Sequence, residues 1–495
     1  MTLNRRAQRA IIAAYFLVLT VVYAMAWFLP AVGLFQDDAI FLVTAKAIAA
    51  GHGYTIDSLP RPIAQTQFPP FFPALLALVT LVSRQTIWLK LLPLVCTAGW
   101  LVLTRKLLLK MGASRNGALL LLALTAASPA VVFLSTNLLP ETLFALLVTA
   151  ALLALLEERA LLAGAFAGLA TLTETAGVAL IAACILTLVA RRRFRGAALF
   201  AITAMVMVAP WFGWSLAHIT HDANYTTGNH VASSIFNGLA ASEKLVVVGH
   251  NVVALLASPV SLLTGFNNVF SGIGIIAILL WCLFVRRQIV PDLFVGLYCL
   301  ALLCFISPPA RFVAPILPLL LWMVWRAVRS MQAREALAAL VLIVMALPIW
   351  ADATRMIPAR SSGYFALQGP APDKWAEMQK LYSFIRIQTP GDSVVLANMD
   401  ALLFLNTGRS AVRGFVPNRF ELDYAALQSP VTPDQLSKSI VESRVSYLVL
   451  TPDEGLPESP SFHRSVEALE RGNIVEPVST PGVAAGYSLF KIVPR

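Results

Sequence analysis

The stretch "AIIAAYFLVLTVVYAMAWFLPAVGLFQDDAIF", residues Ala10–Phe41, runs an apolar segment directly into two adjacent carboxylates, Asp37 and Asp38. About 20 apolar residues, rising about 1.5 Å each, cover the hydrocarbon core of a bilayer. The segment therefore reads as a membrane span that delivers an acid pair to one surface. Arg5, Arg6 and Arg9 precede it. A basic start, an apolar run and the small-residue triplet Ala24-Met25-Ala26 also fit a signal peptide. The run continues through Trp27, Phe28 and Leu29, however, beyond the about 7–15 residues of a signal core, and an uncleaved anchor is expected.

Further out, the 495-residue chain is 58% hydrophobic and only 13% charged, a balance that excludes one ordinary soluble domain. Residues 1–351 hold 23 Lys/Arg against 11 Asp/Glu, and residues 352–495 hold 14 against 15, so the net +11 belongs to the membrane part. Basic residues flanking spans set orientation, and nucleic acid is not needed to explain them. All five cysteines (Cys96, Cys184, Cys282, Cys299, Cys304) lie in apolar stretches. They read as small buried hydrophobes rather than a disulfide framework.

Apolar runs predict eleven spans, near 10–30, 86–104, 117–135, 139–156, 160–173, 175–190, 197–217, 267–286, 290–306, 311–328 and 335–351. The piece "PPFFPALLALVTLV" at 69–82 is too short to cross comfortably and is expected to be a partly inserted approach helix. With the N-terminus inside, the inner connections carry 17 basic residues and the outer ones far fewer, among them Lys46, Arg61, Lys244 and Arg311. That bias places Asp37, Asp38 and the tail outside. The expected organisation is a membrane domain over 1–355, with an outer loop 31–68 carrying the acid pair, and a soluble extracytoplasmic domain over 362–495. In the tail, helix-like "DKWAEMQKLYSFIRIQ", strand-like "SVVLA", helical "DALLFLN" and "PDQLSKSIVES", and strand-like "VSYLVL" predict a small α/β layer fold.

Seven acids fall on or near the outer side: Asp37, Asp38, Asp57, Glu141, Glu174, Asp222 and Glu243. Glu141 follows Pro140 at a span start, where a carboxylate favours the positive helix terminus. Glu174 separates two unusually short apolar segments. Ionisable groups at membrane depth are costly and often functional. The adjacent pair has three readings: a cap for a helix beginning near Ala39, hard oxygen ligands for a divalent cation, or a general base with an orienting neighbour. In "HITHDANYTTGNH" the residues His218, His221, Asp222 and His230 invite a metal reading as well, but no recognised zinc spacing supports it, and they read as ordinary loop residues.

The acid pair is followed by "AIFLVTAKAIAAGHGY", ending in a Gly-x-Gly-Tyr turn at Tyr54, and by "TQFPPFFPALLAL". Further along come "STNLLPETLFALL", "AGAFAGLATLTETAGVALI" and "ARFVAPILPLLLW". In order and spacing these motifs resemble the polyprenyl-phosphate-sugar-dependent membrane glycosyltransferases of the GT-C fold, in particular bacterial relatives of the protein O-mannosyltransferases and aminoarabinose transferases. The resemblance covers most of the membrane part and extends to an extracytoplasmic α/β tail. It implies inverting transfer of a sugar from a polyprenyl-phosphate donor to an extracytoplasmic lipid, glycan or protein hydroxyl, at the cell inner (plasma) membrane. Asp37 is then the general base, Asp38 orients the site, and Arg311, with Arg61 second, meets the donor phosphate. Glu141, Glu174 and Tyr54 line the cavity. No cofactor is required, and a divalent cation, if used, would fall on Asp37 and Asp38.

The chain departs from aminoarabinose transferases at Ile40 and Phe68, where they usually carry Arg and Lys, and at Glu174, a position often basic. Lipid A modification is correspondingly less expected. The rival class is a secondary transporter, which also places acids in broken spans. Against it stand acids clustered in outer loops, the absence of an inverted repeat, and a folded tail that a carrier does not need.

Overall fold

The computed structural model describes residues 5–28, 36–83, 85–218, 239–264, 289–305, 310–329, 350, 374–414, 431–451 and 460–494. Its elements follow the apolar runs. Helix α1 (Arg5–Trp27) leads to α2 (Asp37–Ala49), a two-strand hairpin β1 (Thr55–Ile56) and β2 (Ile63–Ala64), then α3 (Phe71–Val82), α4 (Thr86–Leu89) and α5 (Leu91–Lys110). The bundle continues with α6 (Arg115–Ala126), α7 (Pro129–Thr136), α8 (Glu141–Leu156), α9 (Ala160–Thr171), α10 (Val178–Ala190) and α11 (Phe194–Ala217). Then follow α12 (Ala241–Thr264), α13 (Ile289–Leu303), a 3-10 segment Ala310–Ile316 and α14 (Leu317–Arg329).

Thr86–Lys110, Phe194–Ala217 and Ala241–Ser258 are each long and apolar enough to cross a membrane alone. Apolar side chains such as Leu199, Ile202, Met205 and Val206 are exposed on α11, as suits a helix face turned to lipid. The single span expected over 117–135 is instead α6 and α7, bent by 64°, where Ser128-Pro129 interrupts the backbone ladder. The spans expected at 160–173 and 175–190 are the short helices α9 and α10, joined through Leu172–Glu174 and a 3-10 turn over Thr175–Gly177. Helix α12 lies where an outer loop was expected. Its Asn251 amide donates to the carbonyls of Leu302 and Leu303 at 3.3 and 3.2 Å, satisfying a polar group that made the run look unlike a span. The expected span 267–286 lies outside the described residues, as does 335–351 apart from Trp350. So does the expected domain boundary between 355 and 362.

Close helix packing explains the glycines of "AGAFAGLATLTETAG". A Cβ on Gly164 would stand 2.5 Å from the carbonyl oxygen of Phe200, and one on Gly177 2.7 Å from the Thr171 backbone. Small residues let helix backbones approach closely. At one end of the bundle the basic connections pair with acids, Lys110 with Glu157 at 2.9 Å and Arg193 with Glu158 at 2.6 Å. Helices α5 and α8 run from that end to Lys90 and Glu141 at the other.

The tail forms α15 (Lys374–Gln388), β3 (Val394–Leu396), α16 (Asp400–Thr407), β4 (Ser410–Val412), α17 (Pro433–Glu442), β5 (Tyr447–Leu450), α18 (Pro460–Arg471), β6 (Val475–Val478) and β7 (Ser488–Ile492). Its sheet has the order β4-β3-β5-β7-β6, parallel at β4-β3-β5 and antiparallel onward. Thr432 and Gln435 close a capping box at the start of α17. The α/β layering anticipated from alternating helix and strand patterns is present in these residues. The sheet meets the bundle at α2, which packs against both α3 and α16. The edge strand adds a backbone bond, Ala411 N–H donating to Ser58 carbonyl at 2.8 Å.

Candidate functional site

The acid pair opens α2. Helical geometry begins at Asp37 itself, not near Ala39, and the preceding residue is Gln36, whose side chain makes no capping bond. The cap reading therefore fails for Asp37. Asp38, 1% exposed, accepts from Ala39 N–H at 3.0 Å and turns into the protein. Asp37 turns the other way. Its Oδ2 accepts from Arg311 Nη2 at 2.5 Å across 274 residues of sequence.

Arg311 Nε also stands 3.2 Å from Glu141 Oε1, so one guanidinium is held between carboxylates from two helices. Glu141 is 1% exposed, and neither of its oxygens accepts a hydrogen bond of good geometry among the described residues. Glu174 is half-buried and lies within electrostatic range of Glu141, Arg311 and Asp37. Asp37 and Glu141 are the first residues of helices, Glu174 immediately precedes the 3-10 turn, and Arg311 is the second residue of the 3-10 approach to α14. Helix starts thus converge, and their positive dipole ends stabilise the gathered carboxylates.

Neighbouring aromatics fix the guanidinium. Arg311 lies 4.8 Å from the centroid of the Phe312 ring, within cation–π distance. The Phe312 carbonyl accepts from the Tyr298 hydroxyl at 2.8 Å, and the Tyr298 ring stacks on Phe144. A cleft beside Arg311 is lined by Glu174, Thr175, Ala176, Ala301, Leu302, Phe305 and Phe312. It is apolar apart from one carboxylate and a threonine hydroxyl.

Lys90, not among the candidate residues expected from the sequence, is a further buried cation beside Asp38. It is 2% exposed, its Nζ donates to the Trp27 carbonyl at 3.4 Å, and it lies within electrostatic range of Asp38. A lone lysine inside "TIWLKLLPLVC" is a visible signal, because an intramembrane cation is costly. Arg61 and Tyr54 stand apart from the cluster. Arg61 is exposed between β1 and β2. Tyr54 donates its hydroxyl to the Phe68 carbonyl at 2.8 Å and packs edge-on against Trp211, which makes it a brace for the outer loop.

No group of three or more His, Cys, Asp or Glu suited to a metal ion occurs among the described residues. The two aspartates point to different partners. His218 stacks on Trp214 with ring centroids 3.8 Å apart, while His221, Asp222 and His230 lie outside the described residues.

No protein-family model matches the chain, and no curated protein does. Solved structures do match. The structure of ArnT from Cupriavidus metallidurans bound to undecaprenyl phosphate superposes with a TM-score of 0.59 at 14% identity, covering 97% of this chain and 98% of that one. The apo state of the same protein gives 0.59 and 14%, covering 98% of each chain. The Archaeoglobus fulgidus oligosaccharyltransferase, tethered to an acceptor peptide containing the NVT sequon, gives 0.53 at 12% identity over 96% of this chain and 74% of that one. The architecture is that of a multi-pass membrane protein, and it is the GT-C fold these structures share.

Proposed function

We propose that the protein is a membrane glycosyltransferase that moves a sugar from a polyprenyl-phosphate donor to a hydroxyl on the outer face of the membrane, with inversion at the anomeric carbon. The observation that carries this reading is Arg311 held between Asp37 and Glu141 at converging helix starts, in the GT-C fold. Asp37 is the general base and retains partial solvent access, its side chain being 21% exposed. It takes the proton of the acceptor hydroxyl as that oxygen bonds to the anomeric carbon. The bond from the anomeric carbon to the phosphate oxygen breaks, and its electron pair leaves with the phosphate. Arg311 stabilises the departing charge as a paired, hydrogen-bonding cation.

Arg311 is engaged by carboxylates, through a hydrogen bond to Asp37 and an ion-pair contact with Glu141. A donor phosphate competes for the same guanidinium, and its arrival frees Asp37 to act as a base. This ordering ties base activation to donor binding. The test is binding of undecaprenyl phosphate against undecaprenol, which lacks the phosphate. Wild-type protein is expected to prefer the phosphate by about 10-fold or more, the equivalent of about 1.4 kcal/mol, and Arg311→Ala to lose that preference. Equal preference in wild type and variant would remove Arg311 from the donor site.

A further inference from the structure

The residue immediately before the proposed base is in an unusual state. Gln36 has φ 60° and ψ −33°, a left-handed conformation that non-glycine residues adopt only when their surroundings impose it. It is 7% exposed. Its carbonyl accepts from Ile40 N–H at 2.9 Å, closing the first turn of α2. What holds it is in the tail. Gln36 Nε2 donates to Asp400 Oδ1 at 2.5 Å, and the same oxygen accepts from Arg413 Nε at 3.0 Å. Asp400 is 1% exposed and opens α16, and Arg413 follows β4 directly. A charge-assisted bond in a buried setting is among the stronger restraints available to a backbone.

We propose that Gln36, Asp400 and Arg413 form a latch by which the tail domain sets the orientation of Asp37, making Asp400 and Arg413 positioning residues for the proposed reaction. Two attachments bracket the helix that carries the base: Gln36 to Asp400 at its start, and Ser58 carbonyl to Ala411 N–H beyond its end. The dihedrals of residue 36 determine where residue 37 points, and Asp37 must reach Arg311. Without the Asp400 acceptor, Gln36 keeps neither its buried partner nor a reason to hold a left-handed backbone. It relaxes and swings the first turn of α2. The tail is then part of the catalytic apparatus, with Asp400 and Arg413 acting through Gln36 rather than on the reacting atoms.

This inference rests on Asp37 being the base, and the experiment separates the two claims. Full-length Gln36→Ala, Asp400→Ala and Gln36→Lys variants are compared with wild type and Asp37→Asn in three measurements. These are amide hydrogen exchange over residues 36–44, undecaprenyl phosphate binding, and the initial rate at which cells lacking the gene regain their missing envelope sugar. Gln36→Lys preserves a donor aimed at Asp400. Gln36→Ala and Asp400→Ala are expected to speed exchange in the first turn of α2 and to slow sugar incorporation by about 10²-fold, the scale of a small misplacement of a reacting group. Undecaprenyl phosphate binding should remain, and Gln36→Lys should restore both exchange protection and rate. Wild-type exchange or wild-type rate in both Gln36→Ala and Asp400→Ala overturns the latch. A wild-type protein that restores no sugar fails the function reading instead, and the exchange data then decide by themselves whether the tail holds the turn.

Discussion

Arg311 has two carboxylate partners from different helices, and that fixes what its loss does. Replacing it by alanine leaves Asp37 and the buried Glu141 facing each other without a counter-charge, and breaking a buried pair from one side costs about 3–5 kcal/mol. Thermal unfolding of purified protein should therefore show Arg311→Ala well below wild type. The double variant Arg311→Ala/Glu141→Gln should recover part of the loss, because it removes the stranded charge. A double variant that adds a further full loss would contradict the pairing of Arg311 with Glu141 at 3.2 Å. Each member of the cluster was visible as a residue type: an outward acid pair, an acid after Pro140, an arginine beside an aromatic. Their contact was not, because a separation of 274 residues leaves no local periodicity to read. Gln36 carried no signal, since glutamine is not a residue that advertises a left-handed backbone.

The helices show where pattern reading works. In the tail, alternating segments with turn punctuation located α15, β3, α16, α17 and β5, because each element buries one face and the sequence must show it. In the membrane part, apolar runs mark helices but not their ends or bends. The Ser128-Pro129 bend of 64° and the short α9 and α10 depend on what packs beside them. Helix α12 was missed because Glu243, Lys244, His250 and Asn251 interrupt its run, and Asn251 is made tolerable only by carbonyls about 50 residues later in the chain. The tightest approach is also testable. Gly164→Ala pushes a methyl to within 2.5 Å of the Phe200 carbonyl and should destabilise by about 1–3 kcal/mol. Gly213→Ala, with nothing within 4 Å, should be neutral or slightly stabilising through helix propensity. Equal unfolding temperatures for the two variants would refute the close crossing of α9 and α11.

On the scale of the whole chain, sidedness follows from docking rather than from counting spans. The tail bonds to Gln36 and Ser58, and we propose that α1 is the crossing that separates both from the arginine-rich start. The tail and the acid pair therefore share a face, and the basic connections that pair at Lys110–Glu157 and Arg193–Glu158 mark the opposite one. The expected result is that a reporter active only in the cytoplasm stays silent when fused after Arg495, and activity of that reporter would reverse the orientation. The most direct measurement of the proposed chemistry is mass spectrometry of cell-envelope lipids, polysaccharides and proteins. It compares cells lacking the gene with cells complemented by wild type or by Asp37→Asn at matched protein level. Asparagine keeps the size of the side chain but cannot accept the proton, and a positioned base contributes about 10²- to 10⁴-fold. A sugar unit should be missing without the gene, restored by wild type and still missing with Asp37→Asn. Full restoration by Asp37→Asn would contradict the assignment of Asp37 as the base.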